Sequence, residues 1–133
     1  MKVTLNTDGG MSPGPSFGFV IRDEDGEVID QQGGRLDEGT TVSEAEYSAL
    51  IAGMYRCEAL GATHVQCLAD SQFMIRQMLG QYMVRADNLK PFYAEAKAQA
   101  KKFEKVSYRH IPREENTMAD AAGRLAWEER WTQ

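Results

Sequence analysis

Cysteine is scarce in this chain: Cys57 and Cys67 are the only two among 133 residues. They have neither the spacing of a metal clasp nor a secretory setting, so a disulfide framework is excluded and reduced thiols are expected. No apolar run approaches the roughly 18 residues of a membrane span. Met1–Lys2–Val3 leads straight towards a strand rather than into a signal peptide. These absences set the expectation of a cytoplasmic protein without a membrane association, and nothing signals an obligate protein partner. Internal repeats, low-complexity tracts and linkers are missing as well, so residues 1–133 are expected to form a single domain. An excess of positive charge is also lacking. With 20 acids against 15 Lys and Arg, the net charge of −5 argues superficially against a nucleic-acid partner.

What is present reads as an ordinary globular domain, 42% hydrophobic and 26% charged. The charge is uneven. Between Arg85 and His110 lie seven Lys and Arg against three acids, a local +4 that leaves −9 for the remainder. A basic strip on an acidic body suits phosphate contacts, although such a run also describes a solvated helix face.

Met1 to Asn6 mixes Val and Leu with Lys, Thr and Asn in the near alternation of a strand that ends at Asp8. Phe17–Ile21 and Glu27–Gln32 flank the polar Asp23–Gly26 turn, a hairpin signal that completes a three-stranded meander. Gly33–Gly34 and Gly39 close this part of the chain. From about Ser43, the spacing of Tyr47, Leu50, Ile51, Met54 and Cys57 predicts a helix with one buried face, stopped at Gly61. His64–Leu68 reads as a fourth strand, followed by a helix opened by Asp70–Ser71. Gly80–Asn88 is a loop. Pro91 starts a helix running to about Lys102. Val106–Ile111 is a fifth strand, and Asn116 caps a last helix with Met118, Ala121, Ala122 and Leu125 inward. The order implies an α/β fold: a five-stranded mixed sheet flanked by helices.

Four acids stand at strand ends and helix starts: Asp8, Glu46, Asp70 and Asp120. Each has an unremarkable explanation. Asp8–Gly9–Gly10 is also a turn sequence, Ser43-x-x-Glu46 a capping box, Asp70 an N-cap, and Asp120 a partner for a helix dipole. If the fourth strand pairs with the first, however, all four can converge at one end of the sheet. Carboxylates packed together repel, and divalent cations relieve that repulsion. Oxygen-only ligands select Mg²⁺ or Mn²⁺ over zinc, and two such ions would suit phosphodiester hydrolysis. Gly9 and Gly10 leave space beside Asp8 for a metal or a phosphate.

The stretches TDGG at 7–10, PGPSFGFVI at 13–21, EAEYSALIAG at 44–53, ADSQFMIRQMLGQY at 69–82 and HIPREENTMAD at 110–120 carry a resemblance. In this order and spacing the chain resembles the ribonuclease H family, type 1, over nearly its whole length, in the compact form without the basic protrusion. The resemblance implies a ribonuclease H-like fold. It makes Asp8, Glu46, Asp70 and Asp120 metal-binding catalytic carboxylates and His110 a proton-transfer or product-release residue. Substrate contacts fall on Gly9, Gly10, Thr41, Ser43, Ser71 and Asn116, and the basic strip adds Lys97 and Lys101. His64 has no such context and is expected to be structural.

Two departures fall on the substrate side. The family's Thr-Asn-Asn before the catalytic Glu is Thr41–Val42–Ser43 here, and the loop after Asp8 is short and lacks the usual Asn before Pro. The expected activity is metal-dependent endonucleolytic cleavage of the RNA strand of an RNA–DNA hybrid, leaving 5′-phosphate and 3′-hydroxyl ends. The alternatives are a non-cutting nucleic-acid or protein binding module of the same fold, and a nuclease acting on double-stranded RNA or on DNA.

Overall fold

The computed structural model describes residues 1–128 of the chain, so the last five residues of the expected domain lie outside it. Five strands form one sheet: β1 (Lys2–Gly10), β2 (Ser16–Arg22), β3 (Val28–Arg35), β4 (His64–Ala69) and β5 (Lys105–His110), in spatial order β3-β2-β1-β4-β5. The meander β1–β2–β3 is antiparallel, and β1–β4 and β4–β5 are parallel. Helices α1 (Val42–Ala59), α2 (Gln72–Met78), α3 (Lys90–Ala100) and α4 (Thr117–Glu128) accompany it. Among the described residues no helix is long and apolar enough to cross a membrane.

Local chemistry sets the element ends. In the β2–β3 turn the Asp23 carboxylate accepts the amides of Asp25 and Glu27 at 2.9 and 3.0 Å, and Gly26 supplies the positive φ of +82°. Helix α1 opens on a capping box made by Thr41 and Glu44, not by Ser43 and Glu46. Thr41 Oγ1 accepts the Glu44 amide at 3.1 Å, and Glu44 Oε1 accepts the Thr41 amide at 2.8 Å. Ser71 caps α2, which leaves Asp70 free of the capping role its sequence position suggested. Pro91 lies in the first turn of α3 as expected, but the helix ends at Ala100 rather than Lys102. Lys97, Lys101 and Lys105 therefore share no continuous helical face.

The period of two along β1 divides the molecule. Val3, Leu5 and Thr7 face α1, where Gly53 lets the Leu5 side chain approach the helix backbone. Tyr47, Leu50, Ile51, Met54 and Cys57 all join this main core, as their spacing predicted. Asn6 and Asp8 face α4. Here the sheet is different in kind: a Cβ at Gly18 or Gly33 would run into the backbone of Ala119, Ala122 or Gly123. Strand β3 therefore continues through Gly33 and Gly34, which sequence reading had placed beyond its end. The same seam corrects the inward face of α4. Ala119, Ala122 and Gly123 are buried, whereas Met118, Ala121 and Leu125 point outward, because only small residues fit a backbone-to-backbone approach.

This seam yields a test. Gly18→Val must push α4 off the sheet, and overpacking of this kind costs roughly 1–3 kcal/mol or more. Urea denaturation should show that loss, while Gly26→Val, at a turn where nothing lies within 4 Å, is penalised only through its positive φ.

Candidate active site

Asp8 does not end its strand. Strand β1 runs on to Gly10, with Asp8 opposite Gly18 of β2, so Asp8–Gly9–Gly10 is extended chain rather than a turn. Gly9 explains why. A Cβ there would collide with the α1 backbone at Ala45 and Glu46, so glycine lets the helix pass close over the strand. The Gly9 amide then donates to Glu46 Oε2 at 3.2 Å. Glu46 is buried, one residue past the first turn of α1.

The parallel pairing of β1 with β4 brings Thr7 level with Ala69 and hence Asp70 beside Asp8. Asn116, expected to cap α4, turns its side chain into the sheet instead. Its Nδ2 donates to Asp70 Oδ1 and to the Thr7 carbonyl, both at 2.8 Å. Asp120 lies in the first turn of α4, as predicted. The Asp8 and Asp120 side chains are within hydrogen-bonding reach of one another, and Asp8 feels the charges of Glu46, Asp70 and Asp120 together. All four predicted acids thus come to one end of the sheet, beside a cleft of about 540 Å³ that Asp8, Glu46 and Asp120 line.

The electrostatics are those of crowded anions. Burial first, and then the charges of Glu46, Asp70 and Asp120, push the Asp8 carboxyl up to about 8. Burial and the neighbouring Asp70 raise Glu46 to about 8, against the opposing Gly9 hydrogen bond and Arg113. Two arginines act as counterions. Arg124 Nη2 lies 2.6 Å from Asp120 Oδ2, one helical turn on, and Arg113 Nε lies 3.8 Å from Asp70 Oδ2. Among the described residues, no three acid, His or Cys side chains are yet gathered closely enough to enclose an ion. The donor set is nevertheless all oxygen and crowded with like charge, which is the chemistry that a hard divalent cation satisfies.

The other predicted residues are placed unevenly. Gly9 and Gly10 line the cleft, and Val42 stands 56% exposed at its wall. Thr41 and Ser71 serve as helix N-caps, with Ser43 half-buried between Val42 and Glu44. His110 is exposed at the end of β5, level with Ala69 and so one position from Asp70. Lys97 and Lys101 belong to the end of α3 and do not line the cleft. His64 sits against Thr63, 3.0 Å from its Oγ1. Sequence reasoning missed Arg113, Arg124 and Asn6. The spacing of four between Asp120 and Arg124 was a usable signal. Asn6 carried none, since alternation alone assigns it to an outer face.

A carboxyl with a raised folded pKa binds its proton more tightly folded than unfolded. For Asp8 and Glu46, with ordinary values of 3.8 and 4.5, that stabilisation is complete below about pH 4 and lost as pH rises through about 8. In EDTA, Tm should therefore fall from roughly pH 5 to roughly pH 9 more steeply for the native protein than for Asp8→Asn. Added Mg²⁺ should flatten the difference. Parallel pH profiles of the two proteins would contradict the crowding.

The profile of the family described as Reverse transcriptase-like matches residues 6–126. The Mycobacterium tuberculosis protein named Bifunctional protein Rv2228c is 36% identical over 123 residues, covering 90% of this chain and 34% of its own length. The chain thus spans about a third of the first curated relatives it matches. A solved structure of RNase H1 from Halobacterium salinarum superposes with a TM-score of 0.92 at 26% identity, covering 97% of this chain and 99% of that one. The structure of LC11-RNase H1 in complex with an RNA/DNA hybrid gives 0.89 at 30% identity, covering 97% and 99%. With the mixed-sheet topology and the carboxylates at the end of its central strand, these matches make the chain a member of the ribonuclease H family.

Proposed function

We propose that the chain is a metal-dependent endonuclease that cuts the RNA strand of an RNA–DNA hybrid. The observation that carries this reading is the convergence of Asp8, Glu46, Asp70 and Asp120 beside an open cleft, with Asp8 held at a raised pKa by burial and then by the charges of the other three. The hybrid bound in the LC11-RNase H1 structure supports the substrate class. The described residues share one sheet, which supports a single domain.

Asp8, Glu46, Asp70 and Asp120 would hold Mg²⁺ or Mn²⁺. Two ions bound there would supply an activated water and charge neutralisation for phosphodiester hydrolysis, leaving 5′-phosphate and 3′-hydroxyl ends. The chain's own residues do the rest. Gly9 keeps the strand low enough for Glu46 to reach the cleft. Asn116 fixes one oxygen of Asp70. His110, exposed beside the site, moves a proton or assists product release. Thr41 and Ser43, at the start of α1, and Ser71, at the start of α2, would be substrate contacts. Lys97 and Lys101 add phosphate contacts from the end of α3. The RNA strand is distinguished by its 2′-hydroxyls in a wide, shallow minor groove. Val42 offers no side-chain hydrogen bond there, so discrimination rests on the residues around it.

Labelled hybrid, double-stranded RNA and DNA, each with Mg²⁺, Mn²⁺ or EDTA, should show cleavage of hybrid RNA alone and only with metal. Asp70→Asn should abolish that cleavage and the rise in Tm on adding Mg²⁺ while leaving the fold intact. Wild-type turnover by this variant would remove the assignment. Binding of hybrid without cutting in any metal would favour the binding-module alternative.

His110→Ala should lower kcat by about 10²-fold with little change in KM, the magnitude of a lost general acid–base group. Unaltered kcat would return His110 to the role of a strand-end side chain.

A further inference from the structure

Two asparagines, one on β1 and one just before α4, are buried against each other where apolar side chains would be ordinary. Asn6 of β1 is 5% exposed and Asn116 is 2% exposed. Burying two amides is costly unless every link is made. Here the links run in one direction. Half-buried Arg22, on β2, donates from Nη1 to Asn6 Oδ1 at 3.1 Å, and its Nη2 lies 3.1 Å from Met118 Sδ. Asn6 Nδ2 donates to Asn116 Oδ1 at 3.2 Å. Asn116 Nδ2 then gives its two hydrogens to the Thr7 carbonyl and to Asp70 Oδ1, both at 2.8 Å.

The polarity of this chain is fixed at its far end. A guanidinium only donates, so the atom of Asn6 facing Arg22 must be the oxygen. That leaves its nitrogen to face Asn116, which therefore presents its own oxygen to Asn6 and its nitrogen to Asp70. Flipping either amide would set donor against donor or acceptor against acceptor. Arg22 thus enforces from the far end the same orientation of Asn116 that the Thr7 carbonyl and Asp70, acceptors both, require at the near end.

We propose that Arg22 and Asn6 are positioning residues for Asp70, orienting its carboxylate towards the bound cation through Asn116. The inference rests on the reading of Asp70 as a metal ligand. With Oδ1 pinned by the Asn116 N–H, Oδ2 is the oxygen left to face the cleft, where Arg113 approaches it. Outer partners of metal-ligating carboxylates act in this way, by fixing orientation.

The sharp variant is Asn6→Asp, which keeps the shape and the Arg22 contact but removes the N–H given to Asn116. Asn116 is then caught between acceptors: as it stands its oxygen opposes the new carboxylate, and reversed it opposes the Thr7 carbonyl and Asp70, so its hold on Asp70 is loosened either way. Calorimetric titration with Mg²⁺ alone should show affinity falling by roughly 10–100-fold, the usual effect of losing such a partner. The ¹⁵N-resolved side-chain amide signals of Asn116 should move in the metal-free protein. Arg22→Met, further from the site, should lose affinity in the same sense, and Arg22→Lys, which keeps a donor, should recover most of it. A control separates the two layers of the argument. If Asp70→Asn binds Mg²⁺ like the native protein, the metal-ligand reading falls and this proposal with it. If Asp70→Asn loses binding while Asn6→Asp and Arg22→Met lose only Tm, the network is packing alone and the proposal is overturned. Should Asn6→Asp fail to fold, Arg22→Met against Arg22→Lys decides by the same titration.

Discussion

Repulsion among carboxylates at the end of the central strand is the constraint around which this molecule is arranged. Left in water, four acids would separate. Here β1, α1, the end of β4 and α4 each hold one in place, and burial, the largest cause, together with the neighbouring charges makes Asp8 and Glu46 costly to keep charged. The surrounding structure offsets that cost locally. The Gly9 amide, the Asn116 amide and the guanidiniums of Arg113 and Arg124 all point positive charge or N–H at carboxylate oxygens. Under the proposed function, the remaining deficit is what a bound cation would offset. A local conflict that the rest of the fold sustains is a mark of function rather than of stability.

Much of this was legible from residue order. The apolar spacing from Tyr47 to Cys57 defined the buried face of α1 without error, because a helix packed on a sheet leaves a strong period. The four acids were found because they recur at strand ends and helix starts. Element boundaries were harder. Gly9 and Gly33 looked like breaks and lie within strands, since glycine there serves close approach of α1 and α4 rather than a turn. The inward face of α4 was misread for the same reason. Size, not hydrophobicity, decides which of its residues meet the sheet.

Capping was also misassigned, and instructively. Glu46, Asp70 and Asn116 each fit a helix start by composition, yet Thr41 with Glu44 and Ser71 do that work at the first two helices. Asn116 turns into the sheet. The first two starts thus carry one residue for the helix and a near neighbour for the site. Sequence offers both candidates within a few positions and cannot say which side chain turns inward; that depends on what stands across the gap. Asn6 is the extreme case, since its burial follows from Asn116 and Arg22, which are remote in the chain.

The docking of α4 on the opening strands has a consequence in time. Asp8 is synthesised well before Asp120, and the glycine seam holds the two together only once α4 has emerged. Domains form as the chain leaves the ribosome, N-terminal parts first. The meander, α1 and β4 can assemble earlier and already hold three of the acids, but the fourth arrives with the last element. The centre of a nascent chain therefore stays incomplete until α4 exists, and a product truncated before α4 lacks the fourth acid.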